Sequence, residues 1–320
     1  MRKISNKDIL QSYILTTAKY DYSVYEKRIL YRLVEIAQSE IEGLKFSNDC
    51  RKVEHDLFGL VSITLPISSI LANENDKNYK KAKDALISLS QKYIIYEDSE
   101  VWEKINIVVL PRIEKRKSTF TFTISPRIWD CILNFSKGYR KFELKTAMQF
   151  ESVYAMRFYE LVSGQESPIT YNIDTLKDLF QISGKYKKIN DFIKRVIEPA
   201  KTELDKCSPY TFNYNMNKTG RTFTSVTLFP KYQAKYRDED LETHTLQKQI
   251  SLSWDLPKDV VDYLKHNFGF TTDGIKNNID LFKLVNDKID LIQFLANIKG
   301  KARDSNNPQG YIVGAIRKQI

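Results

Sequence analysis

The sequence has few of the residues from which catalytic and metal sites are built. It contains only three cysteines (Cys50, Cys131 and Cys207) and three histidines, all widely spaced, and no Cys-x-x-Cys pair. This spacing argues against a zinc site made of neighbouring residues and against a disulfide framework. We therefore expect a reduced protein whose thiols are buried or incidental.

Long apolar runs and low-complexity segments are also missing. Every apolar run is interrupted by a charge within about ten residues, short of the ~20 that a membrane-spanning helix needs. Residues 1–7 carry charges with no apolar segment behind them, so we expect no signal peptide. Eleven glycines and nine prolines exclude a collagen-like chain. These absences together predict a cytoplasmic protein without a membrane partner.

The composition that remains is that of a basic globular chain. Its 320 residues are 42% hydrophobic, a length and content that favour two domains and a short third piece. Fifty Lys and Arg against forty Asp and Glu leave a formal charge of +10. This balance points to a polyanionic partner such as a nucleic acid, provided that the charge is concentrated on one surface.

The first half of the chain has the pattern of a winged helix. Ser23-Val24-Tyr25-Glu26 is a capping box and predicts a helix to about Ser39. A short strand, a short helix and a lysine-rich helix are predicted next, at residues 62–65, 68–72 and 78–90. The period then changes from 3.6 to 2, which predicts strands at residues 93–97, 105–110 and 118–124. The last two strands enclose a basic segment, residues 112–117.

The second half repeats this order. A helix over residues 152–163 precedes a short helix, for which Asp174 is the predicted N-cap and Gly184 the predicted C-cap. A longer helix and two strands are predicted next, at residues 187–206, 210–216 and 222–229. The turn of residues 217–221 contains Asn and Gly, which tolerate the positive φ of tight hairpins. The fold class is therefore α+β, with two tandem winged-helix domains.

The expected domain organisation adds a small helical C-terminal region. Polar residues 236–250 are predicted to be a linker, and helices are predicted over 257–267, 272–301 and 311–320. The predicted boundaries are a first winged-helix domain (1–145), a second (146–235), the linker (236–250) and the helical region (251–320).

The long helix of the second half has two chemically different faces. At 100° per residue, apolar side chains from Ile189 to Leu204 fall on one arc. The opposite arc carries Lys187, Asp191, Lys194, Arg195, Glu198 and Lys201. An anchored back with polar side chains in front suits a helix in a DNA major groove. The same pattern also fits the solvated face of an ordinary amphipathic helix, so the neighbouring elements have to decide.

Those neighbours favour DNA, because both halves combine a basic helix with a basic hairpin tip. Proline lacks an N–H, so Pro199 is expected to kink or shorten the long helix and to confine DNA contacts to the turns before Ile197. Residues of types that contact base edges or phosphates are predicted to form the DNA-binding surface. They are Lys77, Lys80, Lys81, Lys83, Lys115, Arg116, Lys117, Lys185, Lys187, Lys188, Asn190, Asp191, Lys194, Arg195, Lys218 and Arg221.

At these residues the chain resembles the iteron-binding plasmid replication initiators, the winged-helix Rep proteins of bacteria. The resemblance rests on three stretches, at residues 11–31, 152–161 and 186–204, and covers about residues 8–232. Residues 307–311, with Ala315-Ile316-Arg317, are similar to a C-terminal pattern of some replication proteins.

The resemblance implies binding to direct repeats of double-stranded DNA at a plasmid origin, with the long helix making most base contacts. It also implies opening of AT-rich DNA and recruitment of host replication proteins such as the replicative helicase. The family implies further that monomers initiate and dimers repress their own gene, with the first domain at the dimer interface. No cofactor and no catalytic residue come with it, and the location would be the bacterial cytoplasm, with the plasmid.

Two other functions remain open on the sequence. A transcriptional repressor or a partition protein could use the same winged helices without initiating replication. A relaxase or nuclease would need clustered histidines, which are missing, and no Walker-type phosphate loop is present. Residues 238–240 could hold a metal, but they are better explained as part of a solvated linker.

Overall fold

The first winged-helix unit is organised around a long buried helix. In a computed structural model, residues 6–41, 52–55, 57, 59–73, 75–97, 102–114, 118–133, 135, 138–243 and 256–319 are described. Strand β1 (Asp8–Ser12) leads into α1 (Tyr13–Thr17) and α2 (Val24–Ile41). The capping box at the start of α2 is confirmed, because the Glu26 carboxylate accepts from the Ser23 N–H at 2.6 Å. Ile29, Leu33 and Ile36 of α2 are fully buried.

A four-stranded sheet and a lysine-rich helix complete the core of this unit. Strands β2 (Lys52–His55), β3 (Val61–Pro66), β6 (Val109–Glu114) and β7 (Thr119–Ile124) form an antiparallel sheet in the order β2-β3-β7-β6. Alternate side chains of β3 are buried, as expected for a sheet with one covered face. Residues 67–70 form one 3₁₀ turn, and α3 (Tyr79–Gln91) buries Ala82, Leu86 and Leu89.

The strands after α3 differ from those predicted. The predicted strand 93–97 is confirmed as β4 (Tyr93–Glu97), but it pairs with an additional strand, β5 (Trp102–Asn106), in a hairpin between α3 and the sheet. The predicted strand 105–110 is therefore wrong, because the chain leaves β5 at Asn106 and enters β6 at Val109. The register of β6 then shifts between Val109 and Arg112, so periodicity alone does not separate the two strands.

The remaining elements of this unit join its two ends. Helix α4 (Pro126–Leu133) is followed by β8 (Tyr139–Glu143) and α5 (Leu144–Gln149), which spans the predicted boundary between residues 145 and 146. Strand β8 pairs antiparallel with β1, which brings Ile9 opposite Phe142.

The second unit has the predicted winged-helix order. It comprises α6 (Val153–Val162), β9 (Ile169–Asn172), α7 (Ile173–Leu179), the long helix, β10 (Tyr210–Thr219) and β11 (Thr222–Tyr232). The sheet order is β10-β11-β9. The N-cap of α7 is Asn172 rather than Asp174, because the Asn172 side chain accepts from the N–H of Asp174 at 2.8 Å. The helix ends at Leu179, well before Gly184, and Gln181 takes the left-handed conformation there.

The two units share one continuous hydrophobic core. Buried side chains from Ile9 to Leu228 belong to a single cluster that includes both units. Helix α6 lies at the centre of this arrangement, since it packs against β10 and the long helix on one side and against α2 and β8 on the other. The second unit is therefore joined to the first through packed side chains as well as through the chain.

The helical C-terminal region has its own core, which extends into the first unit. In the described range 256–319 it consists of helices Lys258–Phe268, Thr272–Lys276, Ile279–Asn286, Leu291–Arg303 and Pro308–Arg317. The prediction of one helix over 272–301 is wrong, because the chain turns at residues 277–278 and 287–290. The core of this region includes Leu10 and Phe135 of the first unit.

The beginning of the predicted linker is held against the first unit. The Arg237 guanidinium donates to the carboxylates of Asp8 and Glu143, each at 2.8 Å. Asp238 accepts from the Asn6 side chain at 2.8 Å. Residues 236–238 are therefore held in place by hydrogen bonds, although their polar composition suggested a linker without contacts.

Candidate nucleic-acid interface

The long helix of the second unit, residues 189–207, is held by its apolar back. It consists of α8 (Ile189–Phe192), a π-helical segment (Ile193–Ile197) and α9 (Glu198–Cys207). Side chains along one side are fully buried in the shared core: Phe192, Val196, Ile197, Ala200 and Leu204. This burial fixes which side chains face outward, as the periodicity predicts.

The outward face near the start of the helix carries exposed cations. Lys194 and Arg195 are exposed, as are Lys185, Lys187, Lys188 and Asn190, whereas Asp191 is half-buried. Among the described residues, none forms an ion pair with Lys194 or Arg195. Their charges are therefore available to an anionic partner. We call residues 185–195 the basic face.

The second half of the outward face is different, because two of its charged side chains already have partners. Lys201 forms an ion pair with Asp205 one turn further along the helix. The Glu198 carboxylate accepts a hydrogen bond from the Tyr214 hydroxyl of β10. Apart from Lys206 near the end of the helix, the exposed cations thus lie in the turns before Ile197, where the sequence predicted the DNA contacts.

The sequence predicted that Pro199 would kink or shorten the long helix. The helix is not shortened. The helix continues to Cys207 and accommodates the proline at the start of α9. Just before it, the Glu198 N–H donates to the Ile193 carbonyl, five residues back, in the π-helical segment. One wider turn moves the hydrogen-bond register past the residue that has no N–H. The same segment presents Lys194 and Arg195.

The turn before the long helix is clamped by a lysine that the sequence analysis missed. Lys177 of α7 is 8% exposed, and its ammonium donates to the Tyr186 carbonyl at 3.1 Å. Both Gln181 and Tyr186 have a positive φ, so the turn bends sharply at each end. The clamp holds the segment that carries Lys185, Lys187 and Lys188, the first lysines of the basic face. A charged residue in a helical pattern normally indicates a surface position, so the sequence gives no sign that Lys177 is buried.

The hairpin of the second unit extends further than predicted. Strands β10 and β11 run to Thr219 and from Thr222, which leaves a tip at Gly220 and Arg221. Only Gly220 has a positive φ here, because Asn217 lies within β10, where its side chain donates to Thr227 at 2.8 Å. Lys218 and Arg221 are exposed at this tip, as predicted.

The first unit presents part of a comparable surface. Lys77, Lys80 and Lys81 are exposed around α3, whereas Lys83 is half-buried. The turn before α3 is held by Asp76, which accepts from the backbone N–H groups of Ala72 and Asn78, each at 3.0 Å. Lys115, Arg116 and Lys117, the predicted wing of this unit, lie outside the described residues.

The described residues show neither a membrane span nor a metal site. No helix among them is long and apolar enough to cross a bilayer. No group of three potential ligands that could hold a metal ion occurs in the described ranges, and Asp238 is bonded to Asn6. Cys131 and Cys207 are free thiols, and burial raises the pKa of each. A raised pKa disfavours the reactive thiolate.

Comparisons with known proteins agree with this architecture. The family model described as "Initiator Replication protein, WH1" matches residues 8–163, and the one described as "Initiator Rep protein, WH2" matches residues 172–229. A solved structure with a similar fold is that of the Pi initiator protein in complex with iteron DNA. It is 14% identical, with a TM-score of 0.51 over 73% of this chain and 99% of that one. The two family matches cover more than half of the chain, which therefore belongs to the initiator replication proteins, non-catalytic DNA-binding proteins with two winged-helix domains.

Proposed function

We propose that this protein binds direct repeats of double-stranded DNA at a plasmid origin and initiates replication there. The observation that carries the proposal is the basic face, residues 185–195. An exposed row of Lys, Asn and Arg on a helix with a buried back suits contacts to base edges and phosphates in a major groove. The Pi initiator, which has a similar fold, is described in complex with iteron DNA.

Each predicted residue has a role in this proposal. Asn190, Asp191, Lys194 and Arg195 would contact base edges, because their side chains can form paired hydrogen bonds. Lysines before and around the helices would contact phosphates, which supplies affinity without sequence information. The phosphate contacts are assigned to Lys77, Lys80, Lys81, Lys83, Lys185, Lys187 and Lys188, and at the wings to Lys115, Arg116, Lys117, Lys218 and Arg221.

Further steps follow from family membership. Bound at the origin of a bacterial plasmid, the protein would open neighbouring AT-rich DNA and recruit host proteins such as the replicative helicase. A dimer formed through the first domain would repress the protein's own gene. These steps would take place in the cytoplasm, and the second domain, residues 146–235, would carry most of the sequence recognition.

Footprinting on DNA flanking the gene tests this function. We expect protection of tandem repeats with the same orientation, because each repeat would bind one copy of the chain. Protection of a single inverted repeat would instead favour a repressor that does not initiate replication. No protected site at any concentration would contradict sequence-specific binding.

A matched pair of variants tests the assigned surface. Arg195 and Lys206 are both exposed on the long helix. They are eleven residues apart, about 16 Å along the axis. Arg195→Ala should weaken binding to the protected repeat, whereas Lys206→Ala should leave it within about twofold of the parent, because the DNA contacts of this helix would be confined to the basic face. Equal losses in both variants would show that the helix contributes only its general charge.

A further inference from the structure

The seam between the two units contains an ion pair that is completely removed from solvent. The Lys27 ammonium, from α2 of the first unit, pairs with the Glu160 carboxylate of α6, the helix that packs on the long helix and β10 of the second unit. Both side chains are 0% exposed. Lys27 also donates to the Tyr20 hydroxyl at 2.7 Å and lies 4.8 Å from the centre of the Tyr31 ring. Burial lowers the pKa of Lys27 to about 8, so the charged ammonium is less stable here than it would be in water.

Arg157 ties the same cluster to two further segments. Its guanidinium lies 4.1 Å from the centre of the Tyr20 ring and 3.7 Å from the second carboxylate oxygen of Glu160. It donates to the carbonyl of Ala18, before α2, and to that of Leu179, at the end of α7. The cluster therefore connects the first unit with the helix that leads into the turn before the basic face. We call Lys27, Glu160 and Arg157 the seam cluster.

Such a cluster restricts orientation more than it adds stability. Replacing a buried ion pair by apolar side chains of similar size is often neutral or stabilising, whereas separating its charges in the interior is strongly unfavourable. Apolar contacts are non-directional, so they specify the relative orientation of the two units less sharply than hydrogen bonds do. The hydrogen bonds that cross the seam, from Lys27 to Glu160 and from Arg157 to the Ala18 carbonyl, have defined directions and would be broken by a rotation of one unit on the other.

We propose that the seam cluster fixes the rotation of one winged-helix unit relative to the other and thereby sets the half-site spacing that the protein accepts on DNA. This inference rests on the proposed function and requires that each unit occupies its own half-site, that is, its own part of one DNA repeat. Each base pair inserted between two half-sites rotates them by about 34° and separates them by about 3.4 Å. A rigid pair of units cannot follow this change, so only one unit stays seated on its half-site. A pair freed to rotate can keep both units on the DNA.

The decisive variant removes both charges of the seam together. In Lys27→Met with Glu160→Met, unbranched apolar side chains replace the ion pair, and Arg157 keeps its two backbone carbonyl acceptors, at Ala18 and Leu179. The matched control is Lys19→Ala with Asp178→Ala, which removes an ion pair between the same two units. The two side chains of this pair are 62% and 42% exposed, whereas those of Lys27 and Glu160 are fully buried.

The first readout is affinity for duplexes carrying both half-sites, with zero, one or two base pairs inserted between them. For the parent and the control, we expect one inserted base pair to lower affinity at least tenfold. For the seam variant, the loss should shrink to about threefold or less. An unchanged tenfold loss in a folded seam variant would overturn the proposal.

The second readout needs no DNA, so it separates this inference from the proposed function. Spin labels at Lys81→Cys and Lys218→Cys, in a background without the native cysteines, report the distance between the units. The parent and the control should give one narrow distribution, and the seam variant a clearly broader one. A parent that binds no DNA would refute the proposed function and leave this distance test in force. An equally narrow distribution in the seam variant would refute the seam cluster's role.

A milder change covers the case in which the double variant does not fold. Lys27→Met removes the ammonium that crosses the seam and leaves the Glu160 carboxylate with one counter-charge, the Arg157 guanidinium 3.7 Å away on the same helix. We expect it to fold, to broaden the distance distribution and to reduce the spacing penalty at least twofold. Parent-like values for both measurements would then count against the proposal.

Discussion

The two winged-helix units hold their exposed basic helices with clamps of opposite charge. In the first unit, the carboxylate of Asp76 accepts from backbone N–H groups before α3. In the second unit, the ammonium of Lys177 donates to a backbone carbonyl before the long helix. Both clamps order a tight turn at the start of a helix, but they respond differently to acid, because only the carboxylate is neutralised at low pH.

The exposed helix faces differ as well. α3 presents lysines, which attract phosphates but bind as point charges. The basic face of the second unit adds Asn190, Asp191 and Arg195, which can form paired hydrogen bonds with bases. We therefore propose that the lysines around α3 supply mainly general affinity and that the basic face supplies most of the sequence discrimination.

Loss of Arg195 should have the largest effect on binding and would sharpen this comparison most. We expect Arg195→Ala to weaken binding to the specific repeat by about 10- to 100-fold, or ~1–3 kcal/mol for a bidentate base contact. Lys194→Ala should act in the same direction. Gel-shift titration against specific and random duplexes measures both effects. Unchanged affinity would remove these residues from the recognition surface and, with them, the distinction between the units.

The acid response of the Asp76 clamp is the next largest effect. Burial alone would raise the pKa of Asp76, but hydrogen bonds from Ala72 and Asn78 outweigh it and lower the pKa to about 2. Because the folded-state pKa is depressed, the stabilisation is present above the unfolded value of 3.8 and is lost as pH falls through about 2. A shift of this size corresponds to about 2 kcal/mol of unfolding free energy.

Asp76→Asn tests this response, because asparagine cannot carry the charge. Urea denaturation should show the variant about 2 kcal/mol less stable than the parent at pH 7, with a smaller difference at about pH 2.5. Lys177→Met in the second unit provides the contrast, since its loss should not depend on pH in this range. A difference that is the same at both pH values for Asp76→Asn would contradict the proposed clamp chemistry.

Removal of lysines from the first unit should have a smaller effect and should not depend on sequence. Lys80→Ala with Lys81→Ala should weaken specific and random DNA alike and reduce the salt slope by about 0.9 for each phosphate that is no longer neutralised. We predict the same for Lys115→Ala with Lys117→Ala at the wing. A loss confined to the specific repeat would show that these lysines contact base edges rather than phosphates.

The smallest effect is expected beyond the basic face. Lys201 is paired with Asp205 four residues along the helix, an arrangement worth about 0.3–0.5 kcal/mol. Lys201→Ala should therefore change stability only slightly and leave DNA affinity as it is. A decrease comparable to that of Arg195→Ala would extend the DNA-binding surface into α9.

The sequence predicts those features that depend on neighbouring residues. The capping box at Ser23, the buried back of the long helix and the exposure of Lys194 and Arg195 all follow from local pattern, and the structure confirms them. The winged-helix order in both halves follows from the succession of the two periodicities.

The missed features depend on contacts between distant residues. β1 and β8 pair although they lie at opposite ends of the first unit, and no local pattern marks either strand. Lys27, Glu160 and Lys177 are charged residues within helices, where charge normally indicates the surface. Their burial becomes visible only when the partner is known. The hairpin of β4 and β5 was not recognised from the sequence, because β5 and the following strand β6 share one alternating pattern.

The most direct test of the central claim is a base-resolved footprint of the parent protein and Arg195→Ala on the DNA flanking the gene. If the basic face of the second unit recognises the sequence, the parent will protect each tandem repeat. The variant will then lose protection at the same one or two base pairs of every repeat, while phosphate contacts elsewhere persist. An identical base pattern in both proteins, or protection that is independent of sequence in the parent, would contradict the claim.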